Sequence, residues 1–158
     1  MRVDVHTYMR YVLYLATTNV ECGMGGGPFA AIIVQFGKVI GVGCNRVVGC
    51  TDPTAHAEIM AIRDACCRTR SFRLPHSILF ASSEPCPMCL GAIYWAGIPV
   101  VYYAASTAEV DGYGFADRYI YRQVCLPLPL RDVKMTHVTM PEQALPFIRW
   151  QLRGGTGY

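Results

Sequence analysis

Apolar residues recur along the chain with two different periods. Tyr8, Tyr11, Val12 and Leu15 stand at helical spacing and predict an opening helix with one apolar face. That helix must stop at Gly23-Met24-Gly25-Gly26-Gly27-Pro28, because glycine is entropically costly in a helix and proline lacks an N–H. Phe29 to Phe36 is apolar except for Gln35 and rich in Ile and Val, the pattern of a strand covered on both faces. Gly37-Lys38 turns the chain and Val39 to Asn45 returns as a second strand, so the two runs form a hairpin. Asp52-Pro53 interrupts the loop from Arg46 to Thr54, after which Ala55 to Cys67 reads as a helix with Ala, Ile and Met inside. Thr54 is its expected N-cap, the hydroxyl satisfying an orphan amide of the first turn. Ser77 to Ala81, Val100 to Ala104 and Val133 to Val138 are expected as further strands. Pro85 to Ala96, Asp117 to Tyr121 and Pro141 to Leu152 are expected as helices. A hairpin followed by alternating helix and strand predicts a mixed sheet of five strands with helices on both faces, a three-layer α/β/α sandwich.

Length and composition narrow the class. The chain has 158 residues, 53% hydrophobic and 16% charged, enough for one folded domain and too apolar for a disordered one. No apolar stretch approaches the roughly 20 residues that span a bilayer. The stretch from Tyr11 to Ala16 is short for a signal-peptide core. The expectation is a soluble cytoplasmic protein with no membrane partner. The net charge of +3 is modest. Arg63, Arg68, Arg70 and Arg73 form a loose cluster, read as the solvated end of a helix rather than a phosphate track, so no nucleic-acid partner is expected.

The 8 cysteines need an explanation other than a disulfide framework, which a chain of this length in a reducing compartment does not require. Cys86 and Cys89 supply one. They lie one helical turn apart at a strand-to-helix junction, where the positive end of the helix favours thiolate. His56 begins another helix, and one imidazole with two thiolates leaves the fourth tetrahedral position of a zinc ion open, the mark of a catalytic site. Glu58 is too close to His56 to join the same ion from one helical face and is suited to moving protons. Cys-x-x-Cys alone would also suit a thioredoxin-like dithiol or half a zinc ribbon. The first lacks its Gly-Pro-like dipeptide here, and the second lacks its other cysteine pair. His-x-Glu followed by Pro-Cys-x-x-Cys matches the zinc-deaminase signature. Cys22, Cys44, Cys50, Cys66, Cys67 and Cys125 show no ligand spacing and are expected to be buried thiols.

From Gly26-Gly27-Pro28-Phe29 onward the chain resembles the cytidine-deaminase-like superfamily, and within it the bacterial guanine-deaminase branch. Asp52-Pro53-Thr54-Ala55-His56-Ala57-Glu58 and Glu84-Pro85-Cys86-Pro87-Met88-Cys89-Leu90-Gly91-Ala92-Ile93-Tyr94-Trp95 carry the likeness, with Gly114-Phe115 and Asp117 after them. The resemblance implies zinc held by His56, Cys86 and Cys89, with Glu58 as proton shuttle and Asp117 assisting the departing ammonia. It implies that Asn45 reads the base edge and that Phe29 and Trp95 wall the base pocket. Tyr158 would fold over the bound base. The implied reaction is guanine to xanthine and ammonia. Nucleoside or cytosine deamination (guanosine, cytidine, cytosine) stays open, as does tRNA adenosine deamination. A homodimer is implied, with residues 1–158 as a single deaminase domain whose tail, from about 141 to 158, serves as a lid or an exchanged segment.

Overall fold

Helix α1 (Val5–Glu21) begins where the Asp4 carboxylate accepts the Thr7 N–H at 3.2 Å. It buries Val12, Ala16 and Asn19 along one face. The computed structural model describes residues 4–23 and 25–157. These fall into two compact units, Met1–Tyr121 and Arg122–Tyr158.

In the first unit, β1 (Ala30–Gln35) and β2 (Lys38–Cys44) form the expected hairpin. β3 (Ser77–Ser83) lies antiparallel on the other side of β1, and β4 (Val100–Ala105) runs parallel to β3. The order is β2-β1-β3-β4. The short helix α2 (Val47–Cys50) follows the hairpin. Helices α3 (Ala57–Thr69) and α4 (Pro87–Ala96) come next, and α5 (Thr107–Asp111) and α6 (Asp117–Cys125) end the series.

The apolar run Ala30 to Val34 of β1 has the expected cause: both of its faces are covered. Ala30, Ile32 and Val34 join Val12, Ala16 and Phe80 in the cluster under α1. Ala31 and Ile33 join Leu79, Ala81, Ala57, Ala61, Ala65, Ile93 and Ala96 in the cluster under α3 and α4. The first unit is thus an α/β sandwich with helices on both faces of a mixed sheet.

That sheet has four strands, not five. Residues 133–138 have no ladder partner among the described residues, and Val133 and Val138 are exposed. Alternating apolar residues make a segment fit for a strand, but cross-strand bonds make the strand. The second unit holds a 3-10 turn (Leu128–Leu130) and α7 (Leu145–Leu152), with Pro146 in its first turn, where a missing N–H costs nothing. Within it the Gln123 side chain donates to Asp132 at 2.9 Å, and Arg131 donates to the Leu126 carbonyl at 2.9 Å.

Two other expectations are corrected. Thr54 does not cap α3. Its N–H and hydroxyl both donate to Asp52 Oδ1, at 2.8 and 2.7 Å, and His56 takes the cap position with no side-chain cap bond. None of the six spare cysteines is fully buried. Cys22, Cys50, Cys67 and Cys125 are exposed, and Cys44 and Cys66 are partly so while packing against the two core clusters.

Helix α3 approaches β2 unusually closely. Its stripe Ala57, Ala61 and Ala65 lies against Gly41 and Gly43. A Cβ at Gly41 would stand 2.5 Å from the Ala61 carbonyl oxygen, and one at Gly43 would collide with that of Ala57. The Asp64 carboxylate on α3 also accepts the Val42 N–H of β2 at 2.9 Å. These contacts fix the depth and register of α3, and so the place of its first residues.

Candidate active site

Two helix starts meet beside β3. His56 takes the N-cap position of α3 in an extended conformation (φ −67°, ψ 155°), and Glu58 follows in the first turn. Cys86 caps α4 in the same manner (φ −66°, ψ 169°), with Pro87 in the first turn and Cys89 after it. Cys86 Sγ lies 3.6 Å from His56 Nδ1. The donor atoms of His56, Cys86 and Cys89 all fall within 4.8 Å of one another.

The electrostatics split the two thiols, one favoured as thiolate and the other held protonated. Hydrogen bonds from Cys89 and then His56 outweigh burial and hold the Cys86 thiol down at about 4. The same bond, together with burial, pushes Cys89 up, and the Cys86 hydrogen bond raises His56. Burial lifts the Glu58 carboxyl to about 7. The donor set fits zinc: a tetrahedral ion with Zn–S near 2.3 Å and Zn–N near 2.0 Å would separate its ligands by about 3.5–3.8 Å. The His56–Cys86 pair stands at that spacing, 3.6 Å, and all three donor atoms lie within 4.8 Å of one another, with both cysteines buried.

A cleft of about 330 Å³ opens beside this cluster, its wall including Phe29, Asn45, Glu58, Glu84, Phe115 and Asp117. Phe29 and Phe115 meet edge to face, with ring centroids 4.7 Å apart at 81°. Asn45 is buried, and its Oδ1 accepts the N–H groups of Gly27 and Val47 at 3.0 and 3.2 Å. Asn19, reaching in from α1, donates to the Gly27 and Asn45 carbonyls at 3.0 and 3.1 Å. The Asp117 carboxyl is raised by burial and by the Cys86 charge.

The structure therefore brings together Phe29, Asn45, His56, Glu58, Cys86, Cys89 and Asp117. Trp95 is not brought there. It is 65% exposed and does not line this cleft, because α4 buries Cys89, Ile93 and Ala96, and Trp95 falls off that stripe. Tyr158 lies outside the described residues. Three neighbours went unread in the sequence. One Glu84 oxygen accepts both the N–H and the hydroxyl of Thr107 at 2.8 Å, and Tyr121 donates to the Pro85 carbonyl at 2.8 Å. Asn19 is the third. Only Tyr121 left a legible signal, its place one turn after Asp117.

The family described as the cytidine and deoxycytidylate deaminase zinc-binding region matches residues 3–105. Guanine deaminase of Bacillus subtilis is 43% identical over 145 residues, 92% of each chain. The X-ray structure of that enzyme superposes with a TM-score of 0.91 at 41% identity, covering 99% of this chain and 98% of the other. The tRNA-specific adenosine deaminase of Haemophilus influenzae is 37% identical over 107 residues, 67% of this chain and 61% of that protein.

Proposed function

As the chain belongs to the cytidine and deoxycytidylate deaminase family, we propose that it hydrolyses guanine to xanthine and ammonia. The reaction consumes one water: its oxygen becomes the new carbonyl, and the exocyclic nitrogen leaves as ammonia. The observation that carries the substrate is the extent of likeness. Similarity to guanine deaminase runs over 92% of the chain, whereas similarity to the tRNA enzyme covers 67%.

His56, Cys86 and Cys89 would hold a zinc ion, which when bound would supply Lewis acidity near neutral pH. Glu58 takes a proton from the attacking water as its oxygen bonds to the carbon bearing the amine, then returns one to the nitrogen that leaves. Its burial, with a carboxyl that titrates at about 7, suits both directions of transfer. Asp117, on the same cleft and also raised by burial, helps protonate the departing amine. Asn45 donates its amide NH₂ to an acceptor on the base edge, and Phe29, braced by Phe115, covers one face of the ring. Through the family resemblance, the reading extends to a cytoplasmic homodimer in which Tyr158 closes over the base.

A panel of guanine, guanosine, cytosine, cytidine and a tRNA anticodon stem, read as released ammonia with zinc-loaded protein, tests the proposal. Guanine is expected to be turned over fastest. Turnover of another substrate without guanine would overturn the assignment.

A further inference from the structure

Helix α6 has no fully buried residue, so core packing does not fix its position. It nevertheless carries Asp117 in its first turn. An ion pair and a hydrogen bond are among the ties that hold this end of the helix. The Arg118–Asp111 ion pair, at 3.1 Å, is half-exposed and worth little. The hydrogen bond is that of the Tyr121 hydroxyl, which donates to the Pro85 carbonyl at 2.8 Å. Pro85 directly precedes Cys86, and Tyr121 lies one turn beyond Asp117 on the same side of α6. The bond therefore fastens the face bearing Asp117 to the backbone that presents Cys86. Tyr121 is also the last residue of the first unit. Burial, then the charges of Glu84, Cys86 and Asp117, raise its phenol, so the hydroxyl keeps its proton and acts as a donor.

We infer that Tyr121 is a positioning residue whose hydroxyl, anchored on Pro85, holds the Asp117 carboxyl at the ligand cluster. The inference rests on the proposed role of Asp117 in proton transfer. Tyr121 does not line the cleft, so its effect must pass through the carboxyl it places.

Tyr121→Phe removes one oxygen and keeps the ring. With zinc-loaded protein and guanine, kcat should fall about tenfold, since small misplacements of a reacting group are costly. KM should stay within about twofold and zinc content should not change. In an Asp117→Asn background the same substitution should lower kcat by less than about twofold, because the carboxyl it would place is already gone. Wild-type kcat in Tyr121→Phe would overturn the inference. So would an equal loss in both backgrounds, as general loosening of the fold would produce, or a loss that tracks zinc content. If Asp117→Asn alone leaves kcat unchanged, the proton-transfer reading of Asp117 fails, and the inference falls with it for that separate reason.

Discussion

Asn45 receives the backbone N–H of Gly27 on its Oδ1 at 3.0 Å, and the Val47 N–H shares the same oxygen at 3.2 Å. The acceptor half of the amide is thereby occupied from within the fold, and only the NH₂ half remains for a ligand. The pocket asks for an acceptor on the base at this point and has none to offer in return. Asn45→Asp preserves shape and keeps an oxygen for Gly27 but presents a second oxygen where a donor stood. The expected result is a loss of about 100-fold or more in kcat/KM for guanine, with the melting temperature little changed. Steady-state kinetics and thermal unfolding of the pair decide it.

Glu58 stands beside the ligand cluster without belonging to it. Glu58→Gln should retain full zinc by elemental analysis yet lose roughly 10²–10⁴ in kcat, the range of a general acid–base group. Loss of zinc in this variant would mean that the carboxylate is a ligand and the assigned chemistry is wrong. Removing zinc from the wild type with a chelator should abolish turnover, and adding it back should restore activity.

The same residue marks the pH dependence of stability in the zinc-free protein. Burial raises Glu58 from the ordinary 4.5 to about 7. Between those values the unfolded chain has released the proton while the folded chain retains it. Stability should therefore fall as pH rises through this window and level off above about 7. Its full size is roughly 3 kcal/mol. Denaturant melts of zinc-free wild type and Glu58→Gln across the window should show a steeper slope in the first than in the second, where the raised His56 and Asp117 still contribute.

Gly43→Ala tests how closely α3 must sit. The added methyl would collide with the Ala57 carbonyl oxygen, backbone that cannot swing aside. Overpacking of this kind costs about 1–3 kcal/mol. Because α3 begins with His56 and Glu58, zinc affinity should weaken together with the melting temperature. A variant as stable as wild type with unchanged zinc affinity would show that the helix has slack.

The zinc-deaminase signature was legible because it is built of short spacings: His56 with Glu58, and Cys86 with Cys89, are local patterns that keep their meaning wherever the chain places them. β1 was legible because burial on two faces leaves a continuous apolar run. Residues 133–138 were misread because alternation records a preference, while a ladder needs a neighbour. Trp95 falls outside the inner stripe of its helix, Cys89, Ile93 and Ala96, and residue types alone do not separate that stripe from its outer neighbours. Asn19 and Tyr121 act on backbone carbonyls far along the chain, and no pattern of residue types encodes the destination of such a bond.

The two outer margins of the sheet are finished differently. Along β2, the Asp64 carboxylate occupies an outward-facing amide, so an incoming strand would meet a charged side chain already seated on its first docking point. Along β4, no described strand completes the ladder, and Val100, Tyr102 and Tyr103 are exposed beside it. Any unwanted strand-on-strand association at high concentration should therefore start on the tyrosine side and spare the aspartate side, which gives engineers of a more soluble variant one margin to modify and one to leave alone.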